Sequence, residues 1–163
     1  MMVFLPYRRQ EAVAYAHRWA YGRNPSFYDY ENIGGDCTNF ASQCVYSGTG
    51  VMNFTPTFGW YYRTANDKAP AWTGVSYFRN FLLREETSPG PKAVELFDLA
   101  QAQAGDVVQL SFDGKTFQHS PVIVQVHKGS IFVAAHSFDA DNRPLDSYDY
   151  QSVRLLHIVG YYK

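Results

Sequence analysis

The chain has 163 residues, with 14 basic and 15 acidic side chains and a formal net charge of −1. That length suits one domain with a buried core, and 46% hydrophobic against 18% charged residues excludes a disordered chain. The even charge excludes the basic stripe of a nucleic-acid binder, no apolar run is long enough for a membrane helix, and Cys37 and Cys44 make no disulfide framework.

Residues 7–21 place Ala12, Val13, Ala16, Trp19 and Ala20 near helical spacing and predict a first helix, stopped by Asn24-Pro25. The polar, aromatic, Gly-rich stretch PSFYDYENIGGD follows. CTNFASQCVYS (37–47) reads as a second helix, ended by Gly48 and Gly50. The region 49–71 is irregular and carries Trp60-Tyr61-Tyr62. A third helix is expected over 73–85, with Val75, Phe78, Phe81 and Leu82 on one face, and SPGPK (88–92) reads as a loop. Strands come next: 106–112 before the turn Asp113-Gly114, 119–127 with Val122, Val124 and Val126 alternating, 130–137 after Lys128-Gly129, and 153–162. Helices first and hairpin-linked strands second predict an α+β fold, N-terminal helices packed on an antiparallel sheet of about four to six strands. No repeat or linker divides residues 1–163, so one domain is expected.

Cys37 follows Gly34-Gly35-Asp36 and opens the second helix. A thiol there meets the positive end of the helix dipole, which favours the thiolate. Asp36 and Thr38 are expected to cap and support the turn. Cys44 lies seven residues on, roughly 10 Å away at 1.5 Å per residue, too far for a disulfide, and reads as core. A nucleophilic thiol needs a base, and the base needs an orienting group. His119 begins a strand. A hairpin about Lys128-Gly129 brings His136 and Ser137 roughly opposite it, and Asp139 follows in the next loop. The candidate site is therefore Cys37 and His119, with His136 or Asp139 as the third polar group, the hairpin favouring His136.

GGDCTNFASQCV, followed by WYY, AGDVVQL and HSPVIV, resembles the putative amidase domain family of bacteria, grouped with the CHAP and NlpC-type cysteine peptidases of papain-like core. The likeness runs from YRRQEAVAYAHRWA to the last strand. It implies a hydrolase with Cys37 as nucleophile, His119 as base and acid, and His136 or Asp139 in third place. Asp36 would help hold a peptide amine, and the Cys37 N–H would join an oxyanion hole. The implied substrate is peptidoglycan or a related peptide, with no metal or cofactor, no nucleic-acid or membrane partner, and a monomer. The segment MMVFLPYRRQEAVAYAHRW lacks the order of a signal peptide. The expected setting is thus secretion or the cell wall, as part of a longer or phage-delivered protein. Trp60 and Tyr61, with Phe58, Tyr62 and Tyr30, either line a groove for the substrate or pack beneath the 49–71 loop.

Other readings stand beside this one. His119, His127, His136 and Asp139 could serve a zinc hydrolase. Against it, no HExxH or CxxC signature occurs, and His119 and His127 lie about 26 Å apart along one strand. DADNRPLD (139–146) lacks the Gly and Glu of a calcium loop and reads as a turn with Asp side chains. A deamidase or transglutaminase-like effector would use the same nucleophile. A non-catalytic wall-binding module would use the aromatics and need no thiol.

Overall fold

The four α-helices precede the long sheet strands, with only a short first strand and a small hairpin before or among them. The computed structural model describes residues 1–163. A short β1 (Phe4–Leu5) leads into α1 (Arg9–Trp19) and then α2 (Cys37–Thr49). A small hairpin, β2 (Tyr62–Thr64) and β3 (Asp67–Lys68), precedes α3 (Pro70–Thr73) and α4 (Val75–Leu82). The sheet strands are β4 (Gly90–Leu96), β5 (Val107–Ser111), β6 (Val122–His127), β7 (Ser130–Ala135), β8 (Ala140–Pro144) and β9 (Ser152–Tyr162). The fold is α+β, with an antiparallel seven-stranded sheet in the order β1-β9-β5-β6-β7-β8 and β4 along the other side of β9.

Several boundaries differ from expectation. The third helix is two pieces, because Gly74 between them is extended (φ −105°, ψ 128°). α2 runs through Gly48 and stops at Gly50, whose left-handed φ of 69° lets its N–H return to the Tyr46 carbonyl. Part of SPGPK, expected as a loop, opens β4. Part of 139–146, expected as a turn, is β8. The irregular 49–71 region contains β2.

Strand alternation divides the interior in two. Val107, Val122 and Val124 face the helices and pack with Phe40, Trp72 and Phe78. Val108, Leu110, Ile123 and Val133 face the other way, with Leu145 and Leu155. Small residues on α1, Ala12 and Ala16, are fully buried within the helix-side cluster. Asp106, also fully buried, ties layers together: its carboxylate accepts from Arg9, from His157 Nδ1 and from the N–H groups of Gln103 and Ile158. No helix is long and apolar enough to cross a membrane.

Candidate active site

Gly34 and Gly35 adopt φ of 89° and 98°, a left-handed path that an L side chain resists, and this turn delivers the chain to the start of α2. Cys37 is the first residue of that helix and is 9% exposed. Its N–H donates to no protein acceptor, as expected of a first-turn amide. The thiol sits against the segment that leads into β6: Sγ lies 3.9 Å from the Gln118 carbonyl and 3.8 Å from the Thr38 hydroxyl. Thr38 continues inward to Ser120 Oγ at 3.1 Å, and Gln109 Nε2 donates to that same Ser120 oxygen at 3.2 Å. Arg154 Nε closes the chain on Gln109 Oε1. Sequence reasoning missed this buried polar row. Its signal was available, because Ser120 continues the core-facing alternation of Val122 and Val124 with a polar residue.

The electrostatics of the thiol differ from the dipole argument. Burial pushes Cys37 up, and the Thr38 hydroxyl and the N–H groups of Ser120 and Thr38 pull it down without prevailing. Removing water from a would-be anion outweighs the helix end here. The resting group is the thiol.

Asp36 does not cap α2 with its side chain, and it does not reach the surface. It is 1% exposed, and its carboxylate accepts from the Tyr30 N–H (2.8 Å), Asn39 Nδ2 (2.8 Å) and His136 Nδ1 (2.5 Å). Burial acts to raise this carboxyl, but the bonds from His136, Asn39 and Tyr30 win and hold it below its ordinary value. The expected amine-binding role is corrected accordingly: its acceptor positions are filled from inside the protein.

His136 is likewise engaged away from His119. Its Nδ1 bonds Asp36, its Nε2 meets the Trp19 carbonyl at 2.8 Å, and its ring stacks on Phe40. The hairpin did form, but β6 and β7 pair Val122 with Ala134. Continued two residues, that pairing sets Ser120, not His119, on the face of His136. Asp139 pairs with Arg23 through two contacts of 3.0 and 3.1 Å. Neither expected third group hydrogen-bonds to His119.

His119 itself lies at a bulge, where Leu110 receives the Gln118 N–H and donates to the His119 carbonyl. The imidazole is 6% exposed and stands beside the rings of Tyr148 and Phe112, with centroids 5.7 and 6.5 Å away. It makes no hydrogen bond to any protein group, Cys37 included. It lines a cavity with Phe112, Gln118, Ser137, Phe138, Arg143, Tyr148 and Asp149. Burial, reinforced by the Arg143 charge, pushes it down to about 4, so the resting imidazole is neutral.

The aromatics mostly pack. Trp60 is fully buried, stacks among Trp72, Phe78 and Phe81, and donates its Nε1 to Ser42 Oγ at 3.0 Å. Of the two places expected for it, groove or packed interior, Trp60 takes the packed one, which removes it from the substrate-binding candidates. Tyr61 is half-buried, between Phe54 and the Arg63 guanidinium. No three His, Cys, Asp or Glu side chains converge where a metal ion could sit.

In this α+β domain a cysteine at a helix start lies against the segment that carries His119. Residues 6–159 match the family described as "Putative amidase domain", and the chain belongs to that family, whose name denotes hydrolysis of amides. Among curated proteins, the uncharacterized protein YhbB of Bacillus subtilis (strain 168) is 30% identical over 141 residues. The match covers 84% of this chain and 43% of that protein, so the chain spans less than half the length of its relative. No solved structure matches it.

Proposed function

We propose that this domain is a cysteine-dependent amidase or peptidase that opens amide bonds of bacterial peptidoglycan. The observation that carries the reading is Cys37: the first residue of a helix, behind two left-handed glycines, with its Sγ 3.9 Å from the carbonyl of the residue before His119. Membership of the amidase family supports the bond type. The wall substrate rests on the likeness to CHAP and NlpC-type peptidases.

The chemistry then runs with neutral partners. Cys37 Sγ attacks the amide carbon as its proton passes to His119. The two side chains are not bonded at rest, so the imidazole first turns from its cavity toward the thiol; catalytic contacts are commonly loose before substrate arrives. The free Cys37 N–H receives the oxyanion. Collapse breaks the C–N bond, and His119 returns the proton to the leaving amine. Water then attacks the thioester, giving its proton to His119, and the carboxylate product leaves with the thiol restored.

The test is release of amino groups from purified peptidoglycan by the wild type and by Cys37→Ala, with EDTA in parallel. Release that disappears in the variant and survives EDTA supports the reading. No release by a folded wild type overturns it. A binding module is the second reading, favoured by a neutral thiol and a neutral imidazole that share no hydrogen bond. Such a module keeps its wall affinity after iodoacetamide treatment.

A further inference from the structure

The cavity beside His119 is lined by a cation that pairs with no carboxylate. Arg143 forms no ion pair with any carboxylate, although ten other pairings occur in the molecule. It is nonetheless held in place. Nε donates to Ser147 Oγ at 2.8 Å, Nη2 to the Ser147 carbonyl at 3.3 Å, and the guanidinium lies 3.7 Å from the centre of the Tyr148 ring. Two contacts to one residue and a stacked face fix its plane and leave other N–H groups free. The cavity has a volume of about 460 Å³, within the range of about 300–1,000 Å³ usual for small-ligand sites. Its other charged lining group is the exposed carboxylate of Asp149, which is not paired with Arg143.

A fixed, half-buried guanidinium with no internal partner is a ready receiver for a carboxylate, which it can bind through two parallel N–H donors. Its position says which part of a substrate reaches it. The group that protonates a leaving amine must stand on the leaving side of the scissile bond, and His119 holds that role in the function proposed above. We infer that Arg143 forms a subsite for a carboxylate on the leaving-group side, so that the substrates released here are amino acids or short peptides with a free C-terminal carboxylate. The inference rests on the amidase reading for the term leaving side. The presence of a carboxylate receiver does not.

The same geometry couples binding to the base. After burial, the Arg143 charge is what holds His119 neutral. A bound carboxylate offsets that charge and makes the imidazole a better proton acceptor when the site is filled.

The experiment uses the dipeptide alanyl-alanine and its C-terminal amide as probes. His119 is followed by NMR titration in the wild type and in Arg143→Gln. The free dipeptide should bind and raise the His119 midpoint by about one pH unit, as expected when a nearby opposite charge arrives. The amide should do neither. Arg143→Gln should weaken dipeptide binding about fivefold or more and remove the dependence of His119 on it, while Arg143→Lys restores part of both.

Equal binding of dipeptide and amide overturns the inference, as does undiminished carboxylate preference in Arg143→Gln. An equal response to methyl phosphate overturns the assignment to a carboxylate. These readings need no turnover. A wild type that hydrolyses no wall yet shows the carboxylate response loses the amidase reading and keeps the subsite. A wild type that hydrolyses the wall without that response keeps the reading and loses the subsite.

Discussion

The thiol side and the imidazole side of the candidate site are built differently. Cys37 sits at the end of a bonded interior: Thr38, Ser120, Gln109 and Arg154 form one row, and Asp36 with His136, Asn39 and Tyr30 forms another. His119 stands in a cavity with no hydrogen bond at all, among aromatic rings and the Arg143 charge. The thiol's surroundings are fixed by a hydrogen-bonded interior, while no hydrogen bond holds the imidazole in its cavity.

The largest expected effect falls on the thiol. Cys37→Ala should lower amide hydrolysis about a thousandfold or more, the scale on which loss of a nucleophile acts, with unchanged circular dichroism. An active variant would reverse the assignment of sides. Alkylation sharpens the same point. Because Cys37 is raised above its ordinary value of 9.0, iodoacetamide should react slowly at neutral pH and faster only under alkaline conditions. Rapid labelling at pH 7 would mean that the thiolate is already present at rest.

Next comes the fixed interior. Asp36→Ala strips His136 and Asn39 of their shared acceptor, and urea unfolding should show a loss of about 3–5 kcal/mol, typical of a broken buried pair. A loss under 1 kcal/mol, on the order of an exposed pair, would show this side to be no firmer than the other.

The pH dependence of stability tests the imidazole side at a comparable or slightly smaller scale. His119 titrates near 4 in the folded chain and at its ordinary 6.5 when unfolded. Its contribution is fully present above pH 6.5. As pH falls from 6.5 toward 4, the unfolded chain takes up a proton that the native chain refuses, and stability drops. The ceiling is about 3 kcal/mol, from 1.36 kcal/mol per pKa unit. His119→Asn should flatten the curve of denaturation midpoint against pH in that window. In the active protein, the acid limb of kcat/KM should lie near 4 for the same reason, and a limb at the ordinary histidine value would contradict a buried, neutral base.

The smallest effect is at the aromatic segment. Tyr61→Ala should change stability by about 1 kcal/mol or less, since the ring is half-buried. A fall in wall binding at unchanged stability would make Tyr61 a contact surface and give the site a second exposed side.

The sequence showed these two sides unequally. The helix beginning at Cys37 was legible from Gly-Gly-Asp-Cys and the apolar spacing that follows. The hairpin about Lys128-Gly129 was legible from its turn and alternating valines, and the structure pairs His127 with Ser130 there. β4 was not, because Gly90-Pro91 reads as a breaker. It is tolerated because β4 pairs with β9 alone, at an edge where a missing N–H costs no ladder bond. β8 was hidden by its polar run Asp141-Asn142-Arg143, which also suits an edge.

The destination of Asp36 could not be read from spacing. Its partner His136 is 100 residues away, and a one-residue difference in strand parity decides which histidine meets it. Trp60 was ambiguous for a related reason. A tryptophan suits a groove or a core equally, and only Ser42 on α2, as acceptor for its N–H, decides for the core.

The long strand β9 has a consequence for how the chain is made. It pairs with β1, β4 and β5, and its Tyr162 lies opposite Phe4. During synthesis on the ribosome, three strands therefore wait for a common partner that emerges after all of them. Contacts closing so great a loop make for slow folding, and β4 and β5 expose unpaired backbone until β9 arrives. A nascent chain arrested before Ser152 should be open to proteolysis along its whole length, and should become resistant in a single step once the final strand is released.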